Sequence, residues 1–146
     1  MVAVDTNILV YAHREEYKEI HDDAVALLRP FVEGREQWAI PYPCAHEFIS
    51  VVTHPRVFEK PTPVDEALDV LADFANSAGF HWLSEGPGYF EVLRKVAAPA
   101  KVQGGRIHDA RIAALCLHHG VRELWTADRD FSMFPQLKTR NPLVKK

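Results

Sequence analysis

Short apolar runs of strand length alternate with longer segments of helical periodicity along almost the whole chain, and this alternation restricts the fold more than any other feature. Val2, Ala3 and Val4 open the series, "WAIP" follows at Trp38 to Pro41, "FHWLSE" reads as a further strand, and Glu123 to Thr126 ends it. Between them, His21 to Val32 places Ala24, Val25, Leu28, Phe31 and Val32 at helical spacing, with Pro30 expected to kink or shorten the helix and Gly34 to end it. "YPCAHEFISVV" predicts a helix entered at Pro43, with Cys44, Phe48, Ile49 and Val52 on related faces and Glu47 one residue off that stripe. "KPTPVDEALDVLADFANSAG" predicts a helix capped by Thr62, with Pro63 in its first position, Leu68, Leu71, Phe74, Ala75 and Ala78 inward, and Gly79 as its stop. "GYFEVLRKVAA" turns Phe90, Leu93, Val96 and Ala97 to the core, and "GGRIHDARIAALCLHHG" does so with Ile107, Ala110, Ala113, Ala114 and Leu117. Strands alternating with helices require crossover connections, so the expected class is α/β: a parallel sheet covered on both faces, with residues 1–146 forming one domain.

The formal charge of −3 gives no global basic footprint, so any hold on nucleic acid must rest on a local arrangement. The two cysteines, Cys44 and Cys116, lack metal or redox spacing and are expected reduced and buried. The apolar start is too short and too soon interrupted by acid for a signal peptide, and no run approaches the length of a membrane span, so the expected setting is cytoplasmic, with no membrane partner.

Two strands run straight into acid, the first at Asp5 and the last at Asp128. Taken alone, Asp5, Thr6 and Asn7 are also what a helix-capping turn looks like. Parallel strands share one carboxyl-end rim, however, and that rim is where open α/β sheets place their ligands. Asp109, in the first turns of its helix, and Glu47, on the helix after the second strand, are within reach of the same rim. Two carboxylates about 4 Å apart repel by roughly 4 kcal/mol at an effective dielectric near 20, so such a group needs protons or a divalent cation. All-oxygen ligation points to Mg2+ or Mn2+ rather than zinc, and such ions commonly share their remaining positions with a phosphate. The indicated chemistry is phosphodiester hydrolysis, with the metal reversing the local repulsion of a polyanion.

Other chemistries fail on particular residues. His46 and Glu47 begin a zinc-protease pattern, but Ser50 stands where its second His belongs. Gly104 and Gly105 are not a phosphate loop, because no Lys-Ser or Lys-Thr follows. A dehalogenase-like phosphatase needs a second Asp where this chain has Asn7. His118 and His119 suit a helix end, Trp38, Trp82 and Trp125 suit the core, and Arg14, Arg106, Arg111, Arg129, Lys138 and Arg140 are candidates for phosphate contacts around the cleft.

The chain resembles the PIN-domain ribonucleases, and among them the VapC-type toxins of toxin–antitoxin pairs. "VDTNILVYA", "PYPCAHEFISVVTHPRVF", "GGRIHDARIAALCLHHG" and "LWTADRDFSMFP" followed by "RNPL" carry the resemblance, in family order, over nearly the whole chain. It implies a three-layer α/β/α sandwich on a central parallel sheet, and an endoribonuclease using Mg2+ or Mn2+ held by Asp5, Glu47, Asp109 and Asp128, which are then both the catalytic and the metal residues. It gives Asn7, Thr126 and Asp130 supporting places beside those acids. RNA as substrate, a VapB-like antitoxin as inhibitor and a homodimer are implied as partners. The alternative is a PIN-like module that binds RNA or protein without cutting.

Overall fold

The computed structural model describes residues 1–144. Five strands, β1 (Val2–Val4), β2 (Trp38–Pro41), β3 (Phe80–Leu83), β4 (Glu123–Trp125) and β5 (Thr139–Arg140), form one sheet in the order β3-β2-β1-β4-β5. Every pairing is parallel. Six helices make the crossovers and flanks: α1 (Thr6–His13), α2 (Glu19–Glu33), α3 (Tyr42–Val52), α4 (Val64–Ala75), α5 (Tyr89–Ala97) and α6 (Ile107–His118). This is the expected α/β/α sandwich. No helix among the described residues is long and apolar enough to cross a membrane.

Each residue of β1 is buried, as it must be in a central strand covered by helices on both faces. The strand order reverses at β1, whose neighbours are β2 on one side and β4 on the other, so the crevice between β1 and β4 is the topological switch point of the sheet. Val4 pairs with Trp125, which brings the next residues, Asp5 and Thr126, out side by side at the carboxyl rim.

Several local expectations are corrected by packing. Pro30 does not shorten α2, which runs through it to Glu33. Pro30 and Ala26 lie on the exposed face of the helix, where a lost backbone bond costs least, while Leu28 and Phe31 keep the buried stripe continuous. Thr62 does not cap α4; the cap position is Pro63, without a side-chain bond. The Thr62 hydroxyl instead accepts from Arg14 Nη1 at 2.8 Å and meets His13 Nε2 at 2.9 Å, tying the loop after α3 to the end of α1.

The inward face of α4 is set by Ala67 and Leu71, with Val70 and Phe74 beside them, and Leu68 is 51% exposed. Ala67 is a weak hydrophobic signal in sequence, but its small side chain lets α4 pack tightly. The helix stops at Ala75, before Ala78 and Gly79. Gly79 has a different role, because a Cβ there would stand 2.3 Å from the Glu36 carbonyl oxygen where the chain enters β3 beside β2. On α5, Phe90 is 63% exposed and lies under the Arg94 guanidinium, while Tyr89, Val92, Leu93 and Val96 pack inward. Ile107 likewise is exposed, and Ala110, Ile112, Ala113, Ala114, Leu115 and Cys116 carry α6 into the core. Both cysteines are free and buried. Trp38 is fully buried and stacks on Phe31, whereas Trp82 and Trp125 are half-buried.

Candidate active site

Asp5 is both the residue that ends β1 and the residue that caps α1. Its N–H donates to the Trp125 carbonyl at 2.9 Å, continuing the ladder to β4, and its Oδ1 accepts the Thr6 N–H at 2.8 Å. The Cys44 thiol on α3 donates to the same Oδ1 at 3.3 Å, and the Thr126 hydroxyl donates to Oδ2 at 2.7 Å. The partners of this buried carboxylate are therefore an amide, a thiol and a hydroxyl. Burial, the largest influence, raises its pKa, the three hydrogen bonds pull it back, and the charge of Asp128 raises it further.

Thr126 links two acids. While donating to Asp5, its oxygen accepts the Asp128 N–H at 2.9 Å, fixing the turn that follows β4. Asn7 secures the same turn from α1 by accepting the Ala127 N–H on its Oδ1 at 3.2 Å. Asp128 then caps a 3-10 turn over Arg129–Met133, its Oδ1 accepting the Asp130 N–H at 2.8 Å.

Glu47 projects from α3 and Asp109 from the first turn of α6 into the same space. The Glu47 pKa is raised by partial burial first and then by the charge of Asp5, with smaller contributions from Asp109 and Asp128; a hydrogen bond with Thr6 opposes them. The Asp109 pKa is raised by burial and then by Asp128, against the pull of Arg106. Each of these groups feels its neighbours because all four acids line one cleft of about 200 Å³. Tyr11, Tyr17 and Phe131 supply apolar wall to it.

Asp130, expected beside the acids, stands with two of them. One carboxylate oxygen from each of Asp109, Asp128 and Asp130 lies within 4.8 Å of the other two, the tightest such grouping among the described residues. Asp5 and Glu47 share the cleft but stand outside that triad. The donor set is oxygen only, crowded and partly desolvated, which suits a hard divalent cation.

Among the six basic side chains expected near the cleft, Arg106 reaches the acids, pairing closely with Asp130 and lying 3.5 Å from Asp109. Arg111 pairs with Glu85 at 2.9 Å, and Lys138 and Arg140 turn to Glu123. His119 Nε2 contacts the Ser84 carbonyl at 2.7 Å, away from the cleft lining. The Cys44 thiol as a donor to Asp5 was not foreseen. Its placement three residues before Glu47, on one helix face, is the signal that a closer reading of spacing offers.

A family model for the PIN domain matches residues 2–136. This chain belongs to the PIN-domain family. It is 33% identical over 139 residues to Ribonuclease VapC48 of Mycobacterium tuberculosis, covering 94% of each chain. It is 34% identical over 143 residues to the VapC ribonuclease Mb2897 of Mycobacterium bovis, covering 98% of this chain and 96% of the other. Among solved structures, this PIN domain superposes on a chain of VapBC2 from Rickettsia felis, bound there to a promoter DNA fragment, with TM-score 0.66 at 16% identity over 96% of this chain and 98% of that one. It also superposes on VapC20 of M. tuberculosis, a Sarcin-Ricin loop cleaving toxin, with TM-score 0.63 at 15% identity over 90% and 93% of the two chains. At those identities the structural likeness speaks for the fold, and the VapC sequence relatives narrow the family. PIN-domain ribonucleases work with a divalent metal, and the acidic cleft of this PIN domain is suited to one.

Proposed function

We propose that residues 1–146 act as one PIN unit, an endoribonuclease that hydrolyses RNA phosphodiester bonds and is the toxin of a VapBC-type pair in the cytoplasm. The observation that carries this reading is the convergence of Asp5, Glu47, Asp109 and Asp128, drawn from four separate segments, on one cleft in which three of them are held above their ordinary pKa values. The VapC names of the sequence relatives point the same way.

Asp5, Glu47, Asp109 and Asp128 would hold Mg2+ or Mn2+, with Asp130 within reach of the last two. The bound ion would neutralise charge on the phosphoryl oxygens and make water a stronger nucleophile at neutral pH. The chain's own contribution is placement. Thr126 keeps Asp5 and Asp128 in register through one hydroxyl, and Asn7 braces the turn that carries Asp128. Glu47 sits at the solvent side of the cleft, where it would complete the ligand set from α3. Hydrolysis adds water across the phosphodiester, breaking the bond to the 3′ oxygen and leaving a 5′-phosphate and a 3′-hydroxyl. A second copy of the chain and a VapB-like antitoxin would complete the assembly, and the VapBC2 and VapBC-1 complexes among the structural relatives support the antitoxin.

Purified protein incubated with total RNA and Mn2+ or Mg2+, with and without EDTA and beside an Asp5→Ala variant checked for folding by circular dichroism, tests the reading. Cleavage that needs metal and disappears in the variant is the expected result. RNA binding without cutting in either metal would replace it with the non-catalytic module.

A further inference from the structure

Arg106 is the one guanidinium, among the described residues, that forms an ion pair with the acids of the cleft. The same atom, Nη1, is shared between Asp130 Oδ2, in close contact, and Asp109 Oδ2 at 3.5 Å. Those two residues are also two of the three whose carboxylate oxygens lie within 4.8 Å of one another. A positive group thus already sits against two of the three carboxylates that a divalent ion would take.

Arg106 is also placed to leave. Its side chain is 46% exposed, so a guanidinium released from the acids passes directly into water. It ends a 3-10 turn, Gly104–Arg106, that leads into α6. Gly104 adopts a left-handed φ of +54°, and nothing lies within 4 Å of where a Cβ would stand at Gly104 or Gly105. Neighbouring packing therefore does not wedge the turn, and glycine freedom allows it to shift.

We infer that Arg106 is a resident counter-ion that competes with the divalent metal for Asp109 and Asp130 and so sets the metal affinity of the site. This rests on the metal-site reading above and adds to it a named residue that opposes loading. Without metal, the guanidinium offsets repulsion among Asp109, Asp128 and Asp130. When metal enters, the same two carboxylates exchange one singly charged partner for a doubly charged one, and Arg106 turns outward. The pair is partly exposed and screened, so the effect is modest: a pair of this kind corresponds to roughly a threefold to fivefold factor in an equilibrium constant.

Isothermal titration of the full chain with Mn2+ at low ionic strength, comparing wild type, Arg106→Ala, Arg106→Gln and Arg111→Ala, tests the inference. Arg111 lies on α6, just beyond the turn that carries Arg106, and has the same charge, but it pairs with Glu85 rather than with the triad. Both Arg106 variants should bind Mn2+ about three to five times more tightly than wild type, with the difference narrowing as salt screens the pair, and Arg111→Ala should match wild type. Metal-free Arg106→Ala should also melt below metal-free wild type, because three crowded carboxylates lose their counter-ion. Unchanged or weaker Mn2+ binding in the Arg106 variants overturns the competition while leaving the metal site in place. An equal gain in Arg111→Ala overturns it too, assigning the effect to net charge alone. If neither wild type nor any variant binds Mn2+, the metal site itself falls, and the competition with it.

Discussion

Two buried carboxylates sit at opposite ends of the same pair of strands and are treated in opposite ways. Glu123 opens β4 at 7% exposure, and Asp5 closes β1 at 5%. Glu123 accepts the Trp125 indole N–H at 2.7 Å and has Lys138 Nζ at 3.4 Å and Arg140 at 4.0 Å. Desolvation is the largest single influence on it and acts upward, yet the indole and the two cations together bring its pKa below the ordinary value. Asp5 faces a heavier desolvation, with neutral donors and a neighbouring Asp128, and its pKa ends above the ordinary value. An acid that serves only the fold is neutralised by the chain, whereas the acids of the carboxyl rim are oriented and left short of positive charge. That shortage is the chemical opening for an ion from solution.

The largest effect that sharpens this contrast is on cleavage. Asp5→Asn is expected to cost more than the roughly 10- to 100-fold that follows loss of a ligand-orienting partner, and Thr126→Val to fall within that range. Glu123→Gln should cleave RNA as wild type does. Rates on one RNA substrate under single-turnover conditions check all three, and an equal loss in Glu123→Gln would erase the distinction between the two ends of the sheet.

The next effect concerns stability, and its sign should differ between the two ends. Glu123→Ala leaves the half-buried Trp125 N–H without its acceptor while the exposed Lys138 and Arg140 return to water, so urea unfolding should show a loss of about 1 to 3 kcal/mol. Asp109→Asn removes one of the mutually repelling acids. In EDTA it should be neutral to stabilising, by no more than about 1 kcal/mol after solvent screening and loss of the Arg106 contact are counted. Added Mn2+ should raise the wild-type melting temperature more than that of Asp109→Asn.

The smallest effect is the pH dependence of the metal-free chain. Asp5, Glu47 and Asp109 have folded values raised above 3.8 for Asp and 4.5 for Glu, so their stabilisation is complete below those values and is lost as pH rises through the folded ones. Glu123, being lowered, contributes in the reverse sense: its stabilisation is present above 4.5 and is lost as pH falls through its folded value. Replacing Glu47 with Gln should therefore flatten the decline in EDTA melting temperature on the weakly acidic side of neutrality, and saturating Mn2+ should remove that decline from the wild type. A melting temperature in EDTA that rises through that range and is unaffected by Glu47→Gln would contradict the raised values.

The sheet and the convergence of acids were legible because they depend on local signals repeated along the chain. Val2–Val4 and Glu123–Trp125 are short and apolar with acid close behind them, and parallel pairing does the rest. Which side of a helix faces inward was less legible where a small residue decides it: Ala67 packs and Leu68 does not, although hydrophobicity ranks them the other way. Strand β5, only two residues long, has no periodicity to detect and exists because Leu124 and Trp125 offer it a partner edge. The thiol of Cys44 and the guanidinium of Arg106 belong to the site through contacts that spacing suggests and only tertiary structure establishes.

The hydroxyl contact between Thr126 and Asp5 spans 121 residues of sequence. During synthesis the first of these partners is made long before the second, and β1 waits at the middle of an unfinished sheet for β4 to arrive. The acidic cleft accordingly cannot be assembled before β4 has been made and has docked on β1. The late docking of one short strand therefore completes the acidic cleft: Asp5 gains its Thr126 partner, and through it the turn that carries Asp128, only once β4 lies beside β1.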